Sequence, residues 1–279
     1  MLKIKLKGEE LSVPEGTRVI DLVKEEEKCN YSVCRIGAQV KELNYRLTAK
    51  NDGVAIELLG LENIEGGKAY EASLRFITAM AFYKLYPEVK IRFSYNVSRA
   101  IFCQAVEGEV NMSRIADEVK AEVKRIIKEN LPIERVTVSL DEAREIYTRF
   151  GYADKMEMLK YRPENTVHLY KCGGFYDYLN AYMVPSTGCI KNYRITPYSP
   201  GLIIQYPRYE LGAQIPEFVE ESTYGRTLQK IYRWSKKANL QTVADINRKV
   251  ENGEMLEFVQ MCEARHNDML SDLGDAIES

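Results

Sequence analysis

The chain reads as an α+β protein, and three observations predict this. The N-terminal stretch carries strict alternation of apolar and charged residues, Leu2, Ile4 and Leu6 between lysines. The middle of the chain mixes short strand-like runs with long amphipathic helices. After Pro207 every periodic segment is helical. Alternation with period two marks a half-buried strand, and apolar spacing of three and four marks a helix. The order predicts a small β-rich domain over 1–62, an antiparallel α+β domain over 68–207 and a helical connector over 208–279.

In the first segment, Lys7-Gly8-Glu9-Glu10 forms a turn into a second strand, Leu11–Val13. Pro14-Glu15-Gly16-Thr17 leads into a helix with Thr17 as its cap and Val19, Ile20 and Val23 on its inner face. The run Glu25-Glu26-Glu27 is its solvated side. Short strands follow at Arg35–Val40, Tyr45–Leu47 and Val54–Leu59. Two strands, a helix and further short strands in this length predict a ubiquitin-like β-grasp. Gly60 and Gly66-Gly67 bracket a linker. Gly66-Gly67-Lys68 is not a phosphate loop, because Glu62 and Ala69 stand where G-x-x-x-x-G-K-[ST] needs a glycine and a hydroxyl.

The second segment opens with a helix over 68–86 that stops before Pro87. Strands follow at Val89–Phe93 and Ala100–Val106. Ser113–Glu129 is amphipathic, with Ile115, Val119, Val123 and Ile126 at helical spacing, and Pro132 closes it. Ser139-Leu140-Asp141-Glu142 is a capping box opening another helix. A further helix around Lys155–Lys160 ends near Pro163. Strands then run over Val167–Lys171, Ile190–Ile195 and Leu202–Tyr206. In the third segment, Thr223–Lys237, Thr242–Val250 and Glu254–Ile277 read as helices, with Gly253 between the last two and Ser279 straight after the end. Arg226, Lys230, Arg233, Lys236 and Lys237 give the first of these a basic face, either solvated or a docking surface, with Trp234 as an anchor.

Composition narrows the function. The chain of 279 residues is 45% hydrophobic and 29% charged, with a net charge of −2, so it lacks the global basic field of a dedicated nucleic-acid binder. No apolar run of ~18 residues spans a bilayer. The N-terminus lacks the apolar core of a signal peptide. These features predict a cytoplasmic protein without membrane partners. Six cysteines are sparse and irregular; Cys29 and Cys34 have no second pair to complete a metal site, and reduced structural thiols are the expectation. His168 and His266 are the only histidines, which argues against a histidine-rich metal centre or a histidine-based triad.

The most informative stretch is Lys171-Cys172-Gly173-Gly174-Phe175-Tyr176, followed by Val184-Pro185-Ser186-Thr187-Gly188. It has the shape of a Cys-Gly-Gly-x-His metal motif with Tyr176 in the histidine's place. A phenol with a pKa near ~10 is a poor zinc ligand at neutral pH. Around it lie Tyr161, Arg162, Asp177, Tyr178, Tyr182, Lys191 and Arg194. Tyrosine faces and arginine planes stack on bases, and lysine or arginine pairs with phosphate. With Cys172 and Tyr176, these residues form a candidate groove for an RNA end or a nucleotide. Any single tyrosine reads first as packing, its hydroxyl satisfied locally, and the groove is a reading of the cluster. Cys172 reads as a small buried thiol, since His168 lies four strand residues away, ~13 Å, beyond direct pairing.

Residues 1–60 resemble the TGS domain of threonyl-tRNA synthetases. Residues 68–207 resemble the additional domain of threonyl- and alanyl-tRNA synthetases. In that family the domain hydrolyses mischarged tRNA with a helix-borne His-x-x-x-His and a Cys-x-x-x-His. The matching positions here are Ala72 and Phe76, then Cys172 and Tyr176, so three of four metal ligands are missing. One thiolate does not hold catalytic zinc. The resemblance therefore implies no metal and no catalytic residue. The domain pair is also similar to the N-terminal half of bacterial uridine kinases, through Leu159-Lys160-Tyr161-Arg162, the stretch Tyr170 to Tyr178 and the stretch Tyr182 to Gly188. That similarity implies a non-catalytic recognition or regulatory region, inactive alone, with no cofactor of its own. Its partner would be a missing C-terminal kinase domain using ATP and magnesium. Two alternatives stand beside it: a stand-alone binding module for the tRNA acceptor end or a nucleotide, and a diverged aminoacyl-tRNA editing hydrolase.

Overall fold

The computed structural model describes residues 1–107, 110–220 and 222–278. Ser279, the position read as following the last helix, lies outside them. The fold is α+β, as the sequence predicts. Its chain divides into two compact units, Met1–Val138 with His168–Glu221, and Ser139–Val167 with Ser222–Ser279.

The first unit begins with β1 (Leu2–Leu6) and β2 (Glu9–Val13), an antiparallel hairpin pairing Leu2 with Val13. The alternation works as expected: Leu2, Ile4 and Leu6 are buried and the lysines between them are exposed. The helix expected after Thr17 is absent. Two short 3-10 turns stand there instead, Val19–Leu22 and Glu25–Asn30. The first still buries Val19 and Ile20, so the apolar spacing was real. The β-branched Thr17, Val19, Ile20 and Val23 lose side-chain freedom in an α-helix, which disfavours a regular one here. Next come β3 (Val33–Ile36) and β4 (Gln39–Glu42), a hairpin in place of the one strand expected over 35–40. Tyr45–Leu47 is no strand; only an isolated bridge joins Arg46 to Arg18. With β5 (Ala55–Leu59), parallel to β1, the sheet order is β2-β1-β5-β3-β4.

Helix α1 (Ile64–Leu85) starts earlier than expected, capped by Asn63, whose side chain accepts from Glu65 N at 2.9 Å. Gly66 and Gly67, read as linker, are in its first turn. Strands β6 (Lys90–Val97) and β7 (Ala100–Glu107) follow, then α2 (Met112–Glu129), which buries Ile115, Val119, Val123 and Ile126. Burial of each such side chain is worth ~1.5–3 kcal/mol. Strand β8 (Glu134–Ser139) was not anticipated, because Arg135 and Thr137 leave only a weak apolar alternation.

Helices α3 (Leu140–Phe150) and α4 (Ala153–Met158) come next. The capping box at Ser139 is present: its hydroxyl accepts from Glu142 N at 3.2 Å, while Glu142 accepts from Ser139 N at 2.9 Å. Strand β9 (Thr166–Cys172) pairs antiparallel with β10 (Phe175–Asp177), and the order of this sheet is β10-β9-β8. The two-residue turn is Gly173-Gly174, with Gly173 at φ +57°, a conformation glycine adopts without steric cost. The strand expected at 190–195 begins only at Arg194: β11 (Arg194–Tyr198) and β12 (Gly201–Gln205) join the sheet β11-β12-β7-β6.

The second unit is helical. It holds α3 and α4, then α5 (Ser222–Lys237), α6 (Val243–Glu251) and α7 (Met255–Glu278). Thr242 caps α6 through a second capping box. Arg248 of α6 pairs with Glu157 of α4, and Asn247 reaches the Met158 sulfur at 3.7 Å. Among the described residues, no helix is long and apolar enough to cross a membrane.

The expectation that all cysteines are reduced thiols is corrected. Cys29 and Cys189 form a disulfide, their Cα atoms 4.7 Å apart. The fold lays the 3-10 turn Glu25–Asn30 against another at Thr187–Cys189. A separation of 160 residues gives no local hint of that meeting. Cys34, Cys103 and Cys172 are buried free thiols.

Candidate functional site

The motif stretch is built on the hairpin of β9 and β10 packed against α1. Phe175 pairs across the hairpin with Cys172, and both side chains are buried. Ala72 and Phe76, one turn apart on α1, are buried too. The Phe76 ring meets Phe175 edge-on with centroids 5.2 Å apart, and Tyr83 tilts against the same ring at 5.6 Å. Where the resembled family places metal donors, this chain has an aromatic cluster. Cys172 adds no reactive thiolate, because burial pushes its pKa up to about 11. His168 is exposed and its Nδ1 lies 2.9 Å from the Thr137 hydroxyl. Among the described residues, no group of three or more His, Cys, Asp or Glu side chains is placed to share a cation. The donor set, one buried thiol beside Ala72, Phe76 and Tyr176, does not fit a zinc ion.

The loop after β10 is held down by groups of α1 and α2. Ser73 accepts from Val184 N at 2.9 Å while donating to Ala69 O at 2.7 Å. The buried Thr187 hydroxyl donates to Ile126 O at 2.8 Å and accepts from Leu131 N at 2.9 Å. The Tyr70 hydroxyl donates to Asn192 O and accepts from Asn192 N, both at 2.9 Å. Every polar atom named here is partnered, so the Val184–Gly188 motif is a docked backbone rather than a free loop.

Seven of the nine residues proposed for a groove are in the first unit. Cys172 is buried beneath the hairpin. Tyr176 is half-buried, with the Lys171 ammonium 5.8 Å from its ring centroid. Asp177 accepts from Tyr178 N at 2.7 Å, and Tyr178 is exposed. Tyr182 packs on Val33, Leu59 and Ala69, with the Arg135 guanidinium 5.6 Å from its ring centroid. Lys191 and Arg194 are exposed, Arg194 at the start of β11. Tyr161 and Arg162 belong to the second unit. There the Glu251 carboxylate pushes the Tyr161 phenol up to about 12. Arg162 pairs with Glu164 at 3.5 Å and keeps its Nε buried without a hydrogen-bond partner.

A cluster beside Tyr182 is assembled by the fold. The Tyr170 hydroxyl lies 3.3 Å from Glu42 Oε2, and burial raises the pKa of both groups. Arg135 counters part of that rise at Glu42. Glu42 sits on β4 and Arg135 on β8, so only the fold brings them together. The unusual presence of an arginine in an otherwise weak strand is the one local sign.

With this geometry in view, comparison with known proteins finds tRNA ligases. In particular, the chain is similar to threonine–tRNA ligases. It is 31% identical to that of Clostridium kluyveri over 200 residues, covering 68% of this chain and 30% of the ligase. It is 30% identical to threonine–tRNA ligase 1 of Bacillus subtilis over 156 residues, 56% of this chain and 24% of the ligase. With the Thermotoga maritima ligase it shares 31% over 146 residues, 50% of this chain and 22% of the ligase. The chain thus spans less than a third of these relatives' length. No protein-family model matches it. These findings overturn the expectation of a uridine or nucleoside kinase: the relatives are ligases, and nothing supports a missing kinase domain. The threonyl-tRNA-synthetase-like reading of the N-terminal region is what they support.

Proposed function

We propose that this chain is a non-catalytic module that binds the acceptor end of tRNA in the cytoplasm, without a cofactor of its own. The reading is carried by similarity to threonine–tRNA ligases over 200 residues, joined to a site whose hydrolytic donor positions hold Ala72, Phe76 and Tyr176. Tyr176 and Tyr178 supply stacking faces, and Lys191 and Arg194 supply cations. The buried packing of Phe76 on Phe175 stands where metal donors would be needed, which counts against metal-assisted hydrolysis.

The test is fluorescence anisotropy with deacylated total tRNA across a salt series. Wild type binds, with affinity falling as salt rises. Loss of a stacking face costs ~1–3 kcal/mol, so Tyr176→Ala weakens binding by roughly 5- to 150-fold. Arg194→Ala weakens it as well. Chelator leaves binding unchanged. Absence of salt-sensitive affinity at low salt removes the reading. Chelator-sensitive release of amino acid from mischarged tRNA would favour the hydrolase instead.

A further inference from the structure

We propose that α5 is a phosphate-backbone interface for RNA, formed by Arg226, Lys230, Arg233 and Lys237. The proposal rests on the tRNA-binding reading above and adds a surface to it.

Composition comes first. The 16 residues of α5 contain Arg226, Lys230, Arg233, Lys236 and Lys237 and no aspartate or glutamate, in a chain whose net charge is −2. Spacing comes second. Positions 226, 230, 233 and 237 recur at four, three and four residues, which returns them to one helix face. At 1.5 Å rise per residue the stripe is ~16 Å long. All four residues are exposed.

The third observation is contrast. Several cations on other helices have an acid one turn away on the same helix. On α1, Lys68 pairs with Glu65 and Arg75 with Glu71. On α2, Arg125 pairs with Glu122 and Glu129; on α3, Arg144 pairs with Asp141. Arg248 of α6 pairs with Asp245. Helix α5 itself contains no acid to pair with Lys230, Arg233, Lys236 or Lys237. Among the described residues, Lys230, Arg233, Lys236 and Lys237 enter no ion pair. Like charges three and four apart repel along a helix. A polyanion laid along the stripe removes that repulsion and releases its condensed counterions, which drives association. Such contacts position a nucleic acid without reading its sequence.

The rival occupant is protein. Helix α7 carries Glu257, Glu263, Asp268, Asp272, Asp275 and Glu278 against one arginine, so a second copy's α7 is also complementary.

The experiment uses the full chain, deacylated total tRNA, and the variant K230Q/R233Q/K237Q, with far-ultraviolet dichroism to check that helicity is kept. Each lost phosphate contact removes ~0.7–0.9 from the slope of log affinity against log salt. The expected result is a slope shallower by roughly 2–3 and affinity at least ~10-fold weaker near 0.1 M salt. The charge-keeping variant K230R/R233K retains both. If wild type binds tRNA and the triple variant binds with unchanged slope, the α5 interface is wrong while the tRNA reading stands. If wild type does not bind, the tRNA reading itself falls and takes α5 with it. Salt-sensitive self-association lost in the triple variant, with tRNA binding intact, assigns the stripe to a second copy and overturns the proposal.

Discussion

Glu42 shows what one side chain contributes at the junction between the β-grasp strands and the rest of the first unit. Burial raises its pKa, and Arg135, the Tyr170 hydroxyl and Lys41 pull the other way without cancelling the rise. An acid whose native pKa is raised binds its proton more tightly folded than unfolded. Its stabilising contribution is complete below the ordinary glutamate value of 4.5 and is lost as pH climbs through the raised native value. Glu42→Gln keeps an acceptor for Tyr170 and removes the titration. The variant should lose less stability than wild type as pH rises from about 4 towards neutrality. Denaturant melts at several pH values measure this, and parallel curves for the two proteins would show that Glu42 does not titrate abnormally.

At the scale of elements, the start of α1 is set by a close approach. A methyl group on Gly66 would overlap the Gly60 carbonyl, whereas one on Gly67 meets nothing within 4 Å. Helix propensity alone favours alanine over glycine by ~1 kcal/mol at either position. At Gly66 the overlap involves backbone that cannot swing aside, and overpacking of this kind costs ~1–3 kcal/mol or more. Gly66→Ala should therefore destabilise and Gly67→Ala should stabilise by ~0.5–1 kcal/mol. Chemical denaturation of both variants decides it; equal effects would mean that the approach is not tight. The same glycines explain a misreading. In the sequence they mark a linker, because a glycine that admits a neighbouring backbone looks like a glycine that bends a chain. Strands with one wet face, such as β1, were legible because burial imposes period two. Strand β10 was not, since three residues are too few to establish a period. The departures from the resembled metal motif, Ala72, Phe76 and Tyr176, are visible in the sequence alone. What fills the site is not: Phe175 reaches Phe76 across 99 positions of sequence, through packing that no local pattern encodes.

For the chain as a whole, the Cys29–Cys189 bond closes a loop of 160 residues and joins the β-grasp segment to the docked loop beyond β10. Other contacts hold the same surfaces together. Asn44 donates to Ile133 O at 3.2 Å, Tyr170 meets Glu42, and Val33, Leu59 and Ala69 pack with Tyr182. The native arrangement therefore does not depend on the covalent link, and its main effect falls on the unfolded chain, whose freedom it restricts. Removing a native disulfide typically costs ~2–5 kcal/mol, and a loop this long belongs toward the upper part of that range in the chain-entropy account. Cytosolic thiol buffers keep most such bonds open, so the reduced state is the informative comparison. Cys29→Ser/Cys189→Ser, or wild type in excess dithiothreitol, should keep the native dichroism spectrum while melting roughly 5–15 °C lower than the oxidised protein. A melting temperature indifferent to reductant would mean that the bond constrains nothing the unfolded chain would otherwise explore. Loss of the native spectrum on reduction would mean that the noncovalent contacts at Glu42, Asn44 and Tyr182 do not suffice to dock the β-grasp strands.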